Sequence, residues 1–253
     1  MTLPFWISDA VLISTQASLV ALPAASHPPV LRRLYGAAWA LVPAGSIAGV
    51  VALLGLFPGT ADFFTYLALI ATPLLAAFAL GYIVRGARPA WAWTVLPVLA
   101  VAWAEKGSLV GDATALALTA LGCLTLGWLL AAIVDSYLVF SNLLEQPNAT
   151  LNAAAPAGGL PQLQYVAFGS AVMGYGDFFI AGVLAGVLLV EGTPSVPVAV
   201  ACLVLAAAFD LLFFVTDTLP ATVPVALALI VSELVFRRAR KRPQARSVGS
   251  QAG

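Results

Sequence analysis

Charge is what this sequence has least of. Only 9% of its 253 residues are Asp, Glu, Lys or Arg, against 62% hydrophobic, and mean hydropathy is +1.01. A water-soluble domain carries about 25% charged residues, because its surface faces water. So few charges cannot clothe such a surface, which excludes a soluble globular domain and leaves lipid as the main solvent. Histidine is scarcer still: the single copy, His27, lies in a Pro-rich link, and no metal-ligand cluster accompanies it. Neither a metal nor an organic cofactor is expected. The two cysteines, Cys123 and Cys202, both fall inside apolar runs and read as small packing residues rather than a disulfide. The first residues lack the basic start of a cleavable signal, and Asp9 interrupts their apolar run early, so a retained first span is expected there. Basic residues concentrate in one place. Arg237, Arg238, Arg240, Lys241, Arg242 and Arg246 are six of the eleven. Beside a membrane helix such a run reads as a cytoplasmic tail rather than a nucleic-acid-binding segment.

What is abundant is apolar sequence in runs of membrane-crossing length. Spans are expected at 5–25, 35–57, 61–84, 89–104, 109–143, 163–190, 196–216 and 220–236. The run 109–143 is long for one helix and short for two, so the fold class is an all-α integral membrane bundle of eight or nine transmembrane helices. Arg85 and Arg88 share a side with the basic tail only if 109–143 crosses twice, which favours nine spans and a cytoplasmic C-terminus in the cell membrane. Three regions follow. Residues 1–108 are supporting helices, 109–238 hold the candidate chemistry, and 239–253 form a basic, disordered tail. The link 144–162 is the one long polar break, and it carries no Lys or Arg.

An ionisable side chain at membrane depth costs about 2.5–3.5 kcal/mol on insertion scales, so each one is a functional candidate. Asp135, Asp177 and Asp210 lie well inside apolar runs, without a basic residue in helical reach. Gly174-Tyr175-Gly176-Asp177 is the sharpest pattern. Two glycines weaken the helix before a carboxylate and admit close backbone approach. Gly182 and Gly186 continue with small residues suited to helix packing. The bland alternative is a packing motif with an incidental Asp.

The stretch MGYGDFFIAGVLAG resembles the second catalytic span of the GxGD intramembrane aspartyl proteases, the presenilin and signal peptide peptidase family. Asp135 stands 42 residues earlier, where that family places its other catalytic Asp. Leu219-Pro220-Ala221-Thr222-Val223-Pro224 opens the last span, where the family has a Pro-Ala-Leu motif beside the active site. The likeness covers about residues 120–238 and is that of a distant, prokaryotic-type member. It departs from the pattern at Val134, where the family has Tyr (Tyr137 follows Asp135 instead), and in the missing Leu of the last motif. The resemblance implies catalysis by Asp135 and Asp177. It implies active-site shaping by Gly174, Tyr175, Gly176, Tyr137, Leu219, Pro220, Ala221 and Pro224, and a transmembrane peptide or protein as substrate. Nothing in the sequence fixes an oligomeric state.

Two carboxyls held together in low dielectric share one proton. The ionised one takes a proton from a water, which attacks the scissile carbonyl, while the protonated one hydrogen-bonds the carbonyl oxygen. Two alternatives stand beside this. A prepilin-peptidase-like GxGD protease commonly has Lys soon after the Asp, whereas Phe178 and Phe179 follow here. A proton- or cation-coupled transporter would use Asp135, Asp177 and Asp210 as a relay, and inverted repeats would betray it. A catalytically inactive scaffold of the same fold is a third.

Overall fold

A computed structural model describes residues 3–23, 60–131, 160–216, 219 and 221–232. The expected span 35–57, the residues 132–143, most of the polar link and the basic tail lie outside the described residues, as do Arg32 and Arg33. The described chain is mostly helical, and three helical stretches are long and apolar enough to cross a membrane: Asp62–Ile83, Leu109–Trp128 and Ser195–Phe214. The elements are α1 (Phe5–Ala21), α2 (Thr60–Phe78) with a wider turn at Ala79–Ile83, α3 (Val95–Ala104) entered through a tight turn at Pro89–Thr94, and α4 (Leu109–Ala131). A hairpin of β1 (Tyr165–Phe168) and β2 (Ala171–Gly174) leads into α5 (Tyr175–Glu191). After it come α6 (Ser195–Phe209), which tightens over Asp210–Phe214, and α7 (Thr222–Ser232).

Large apolar side chains crowd the surface, while several polar ones are buried within an otherwise apolar interior. Phe63, Ile70, Leu74, Trp93, Phe214 and Val215 are all exposed, whereas Gln16, Thr65, Thr72, Thr119 and Thr125 are buried. In lipid, apolar contact does not drive helices together, so close packing and interhelical hydrogen bonds do. Thr125 Oγ1 donates to the Leu75 carbonyl of α2 at 2.7 Å, and Thr119 Oγ1 to the Leu163 carbonyl at 3.4 Å. Thr125→Val keeps the shape and deletes the first bond. We expect it to cost about 0.5–1 kcal/mol in a detergent unfolding titration.

The contacts fix the course of each helix. Thr72 abuts Gly122 and Phe78 abuts Trp128, so α2 and α4 run parallel. Cys123 meets Tyr175 and Gly127 meets Gly182, so α4 and α5 also run parallel. α1 runs with them: Ser8 touches the hairpin tip, Gln16 touches Asp177, and Pro23 bridges Val84. α6 runs the other way, with Ser195 by Arg85 at one end and Phe213 against Phe5 at the other. The chain therefore leaves α4 at one end of the bundle and re-enters at Leu160 at the opposite end, where the Lys106 ammonium donates to the Leu160 carbonyl at 3.0 Å. Exposed tryptophans mark both ends, Trp6 and Trp103 at one and Trp91 and Trp93 at the other. That is where amphipathic rings settle at a lipid–water boundary.

The expected single span 163–190 is corrected. Its first third is the antiparallel hairpin, with Tyr165 opposite Gly174 and Phe168 opposite Ala171. Apolar runs of this length do not distinguish strand from helix, and here β-branched and aromatic residues flank a Gly-Ser turn. Gly169 has φ +58°, and a Cβ there would strike Ser8 Oγ and Leu3. The tip is tied down by Gly169 N–H to Asp112 Oδ2 and Ser170 N–H to Ser8 Oγ, each at 3.2 Å. Non-helical backbone at such depth is tolerated only against protein, and Val166, Ala171 and Met173 are buried.

Candidate functional site

Asp177 does not lie in mid-helix. Gly174 is extended (φ −69°, ψ 153°) and serves as the N-cap of α5, so Tyr175, Gly176 and Asp177 form the first helical turn. The glycine-rich tetrapeptide is the junction at which a strand becomes a helix. Helix α5 has 17 residues, about 25 Å of rise, less than the ~30 Å of a hydrocarbon core. The junction thus sits within the bundle, with the hairpin completing the distance to the surface.

Around this junction the structure gathers residues from four helices. Gln16 of α1 is 1% exposed, and its Nε2 donates to the Asp177 carbonyl at 3.0 Å and to the Ala221 carbonyl at 3.2 Å. Ala221 directly precedes α7. One amide therefore joins the Gly-Tyr-Gly-Asp turn to the segment Leu219–Pro224, which sequence spacing alone had linked. Pro224 is buried; Leu219 and Ala221 are partly so. From α4, the Cys123 thiol points at the Tyr175 carbonyl, 3.7 Å away, and the Tyr175 phenol is within hydrogen-bond reach of Cys123 and of Thr72 on α2. Asp177 is half-buried and close enough to Cys123 to act on it electrostatically. Asp135, Tyr137 and Pro220 lie outside the described residues.

One acidic pair is present that the sequence reading did not anticipate. Asp9, 8% exposed on α1, has its carboxyl within hydrogen-bond reach of that of Asp210 at the end of α6. Two carboxyls can bond only if one carries the proton. Asp210 Oδ2, sealed from solvent, faces no other N–H or O–H donor among the described residues. Phe5, Trp6 and Phe213 pack beside the pair, with Phe5 and Phe213 edge to face at 5.1 Å. Asp210 thus acts as a clasp between α6 and α1. Gln16 and Asp9 were not singled out as site residues for different reasons: Gln16 is uncharged, and Asp9 lies near a span end. The available signal was that Ser8, Leu12 and Gln16 recur every four residues, one face of α1 on which two of three side chains are polar.

The fold defines a mostly helical protein with apolar helices of membrane-crossing length, in which the buried Gln16 and Thr72 meet at a strand–helix junction. The chain matches no protein-family model, no curated protein and no solved structure.

Proposed function

We propose that this chain is an intramembrane aspartic endopeptidase of the cell membrane that cleaves transmembrane segments with Asp135, Asp177 and a water. The observation that carries the reading is the Gln16 bridge. Two segments suggestive only by order and spacing, Gly174–Asp177 and Leu219–Pro224, are held side by side by one buried amide. A hydrolase needs a carboxylate beside backbone that a peptide can approach, and the strand–helix junction supplies it. Strand β2 ends directly before the helix that carries Asp177, and its outer edge, which pairs with no strand among the described residues, offers N–H and C=O groups to an extended peptide. The parallel courses of α1 with α2 and of α4 with α5 support nine crossings, since each pair requires an intervening return of the chain. Arg85 and Arg88 at one end support a cytoplasmic assignment for that end.

The reading makes a geometric demand. Ala131 is four residues past the Gly127–Gly182 crossing and Asp177 is five residues before it, together nine residues of helical rise, about 13 Å. Four residues of extended chain span about 13–14 Å. Asp135 therefore reaches Asp177 only if the chain doubles back directly after Ala131. In a background with Cys123→Ala and Cys202→Ala, the pair Asp135→Cys and Asp177→Cys should form a disulfide under mild oxidation, which needs Cα atoms within about 7 Å. Read by mobility shift on a gel, the absence of that cross-link would refute the dyad. The activity itself is tested with purified protein in detergent, a transmembrane peptide and an aspartyl transition-state inhibitor: inhibitor-sensitive cleavage is expected.

The Asp9–Asp210 pair favours a second reading, a proton- or cation-coupled transporter. Proteoliposomes separate the two. Proton flux that is lost in Asp210→Asn, with no peptide cleavage by the parent protein, would select transport.

A further inference from the structure

The side chain of Gln16 has one atom left over. Its two N–H groups are spent on the carbonyls of Asp177 and Ala221, which fixes the amide's orientation, because the flipped amide would set oxygen against two carbonyl oxygens. Oε1 is then buried without a donor among the described residues. A buried carbonyl oxygen with no partner costs free energy, and native structures rarely leave one so unless something arrives to pair with it. Its location narrows what arrives. Oε1 belongs to the group that clamps the Asp177 turn to the Ala221 segment, so a donor reaching it lies within one side chain of both.

We infer that Gln16 is a positioning residue with two functions: Nε2 clamps the first turn of α5 to the start of α7, and Oε1 accepts a hydrogen bond from a backbone N–H of the extended substrate peptide. This rests on the protease reading for the identity of the ligand, while the clamp does not. A peptide unwound for cleavage has N–H groups stripped of their helical partners. A fixed, dry acceptor beside the Asp177 turn takes one of them and sets the register of the scissile bond. The first span thereby becomes part of substrate selection rather than mere support.

The test uses full-length protein in detergent, the variant Gln16→Met, which keeps the volume and removes both kinds of bond, and a substrate set with one backbone nitrogen methylated at a time. For the wild type, methylation at one position should lower kcat/KM about tenfold beyond its neighbours. For Gln16→Met that extra penalty should vanish, with the loss already present for the unmethylated peptide. A purely structural role for Gln16 would lower the rate equally for every peptide, and equal penalties in both proteins would overturn the acceptor function. The clamp is read separately by amide hydrogen exchange. Segments 174–182 and 221–228 should exchange about tenfold faster in Gln16→Met with α3 unchanged, and unchanged exchange in both segments would overturn the clamp. A wild type that cleaves no peptide refutes the protease reading and the acceptor function with it, and the exchange measurement still decides the clamp.

Discussion

Asp177→Ala should abolish cleavage of a transmembrane peptide, by at least about a thousandfold in kcat, and Asp135→Ala should do the same. The reasoning is that each carboxyl has a task the other cannot assume: one must be ionised to take the proton of water while the other is protonated to hold the carbonyl oxygen. The double variant should be no worse than either single one, because residues that act as a unit are not additive. Asp210→Asn is the contrasting case. Its amide still donates to Asp9, so the clasp between α6 and α1 survives and kcat should stay within about threefold of wild type. Asp9 lies seven residues before Gln16 on α1, about 10 Å of helical rise away from the amide that meets Asp177. The two acidic centres are therefore separate in space. Loss of cleavage in Asp210→Asn to the same degree as in Asp177→Ala would place Asp210 in the chemistry and replace the dyad with a relay.

These variants touch residues whose legibility in the sequence differed, and the differences have physical causes. The helices at 62–83, 109–128 and 195–214 were visible because hydropathy over about 20 residues measures the one quantity the bilayer selects. The hairpin at 165–174 was hidden by the same measure, since an apolar strand and an apolar helix transfer to lipid alike. Only the Gly-Ser pair inside it signalled a turn. Asp177 stood out because a carboxylate in an apolar run is costly. Gln16 did not, although a buried amide with three hydrogen-bonding groups to satisfy organises its neighbours more strictly than many charges do. The partnership of Asp9 with Asp210 joins residues 201 positions apart, and no local pattern encodes it. Sequence reading found the groups that are expensive to bury. It could not find the partners that make them affordable, because those partners are chosen by the packing of α1 against α5 and α6.

That packing depends on a crossing with no side chains in it. A Cβ on Gly127 would overlap the Gly182 carbonyl carbon and the Val183 nitrogen, and a Cβ on Gly182 would overlap the Cys123 carbonyl. The backbones of α4 and α5 are in direct contact, and in lipid such close approach, with its dispersion energy, is what holds two apolar helices together. Gly182→Val must therefore push α5 off α4 rather than fill space, and neither contacting group is a side chain that can swing aside. We expect a cost of about 3 kcal/mol or more, at the upper end of overpacking effects. It should be seen as a lowered unfolding midpoint in detergent, and Gly127→Val should behave alike. Leu74→Ala, which trims an exposed lipid-facing side chain, should leave the midpoint nearly unchanged. The functional consequence follows from distance along one helix. Asp177 is five residues before Gly182, and the Cys123 thiol meets the Tyr175 carbonyl on the same face, so displacing α5 moves the carboxylate relative to everything it must meet. Cleavage by Gly182→Val should accordingly fail at temperatures where the protein remains folded. A Gly182→Val protein with wild-type melting and wild-type activity would mean that α4 and α5 do not touch, and the site built on their contact would have no support.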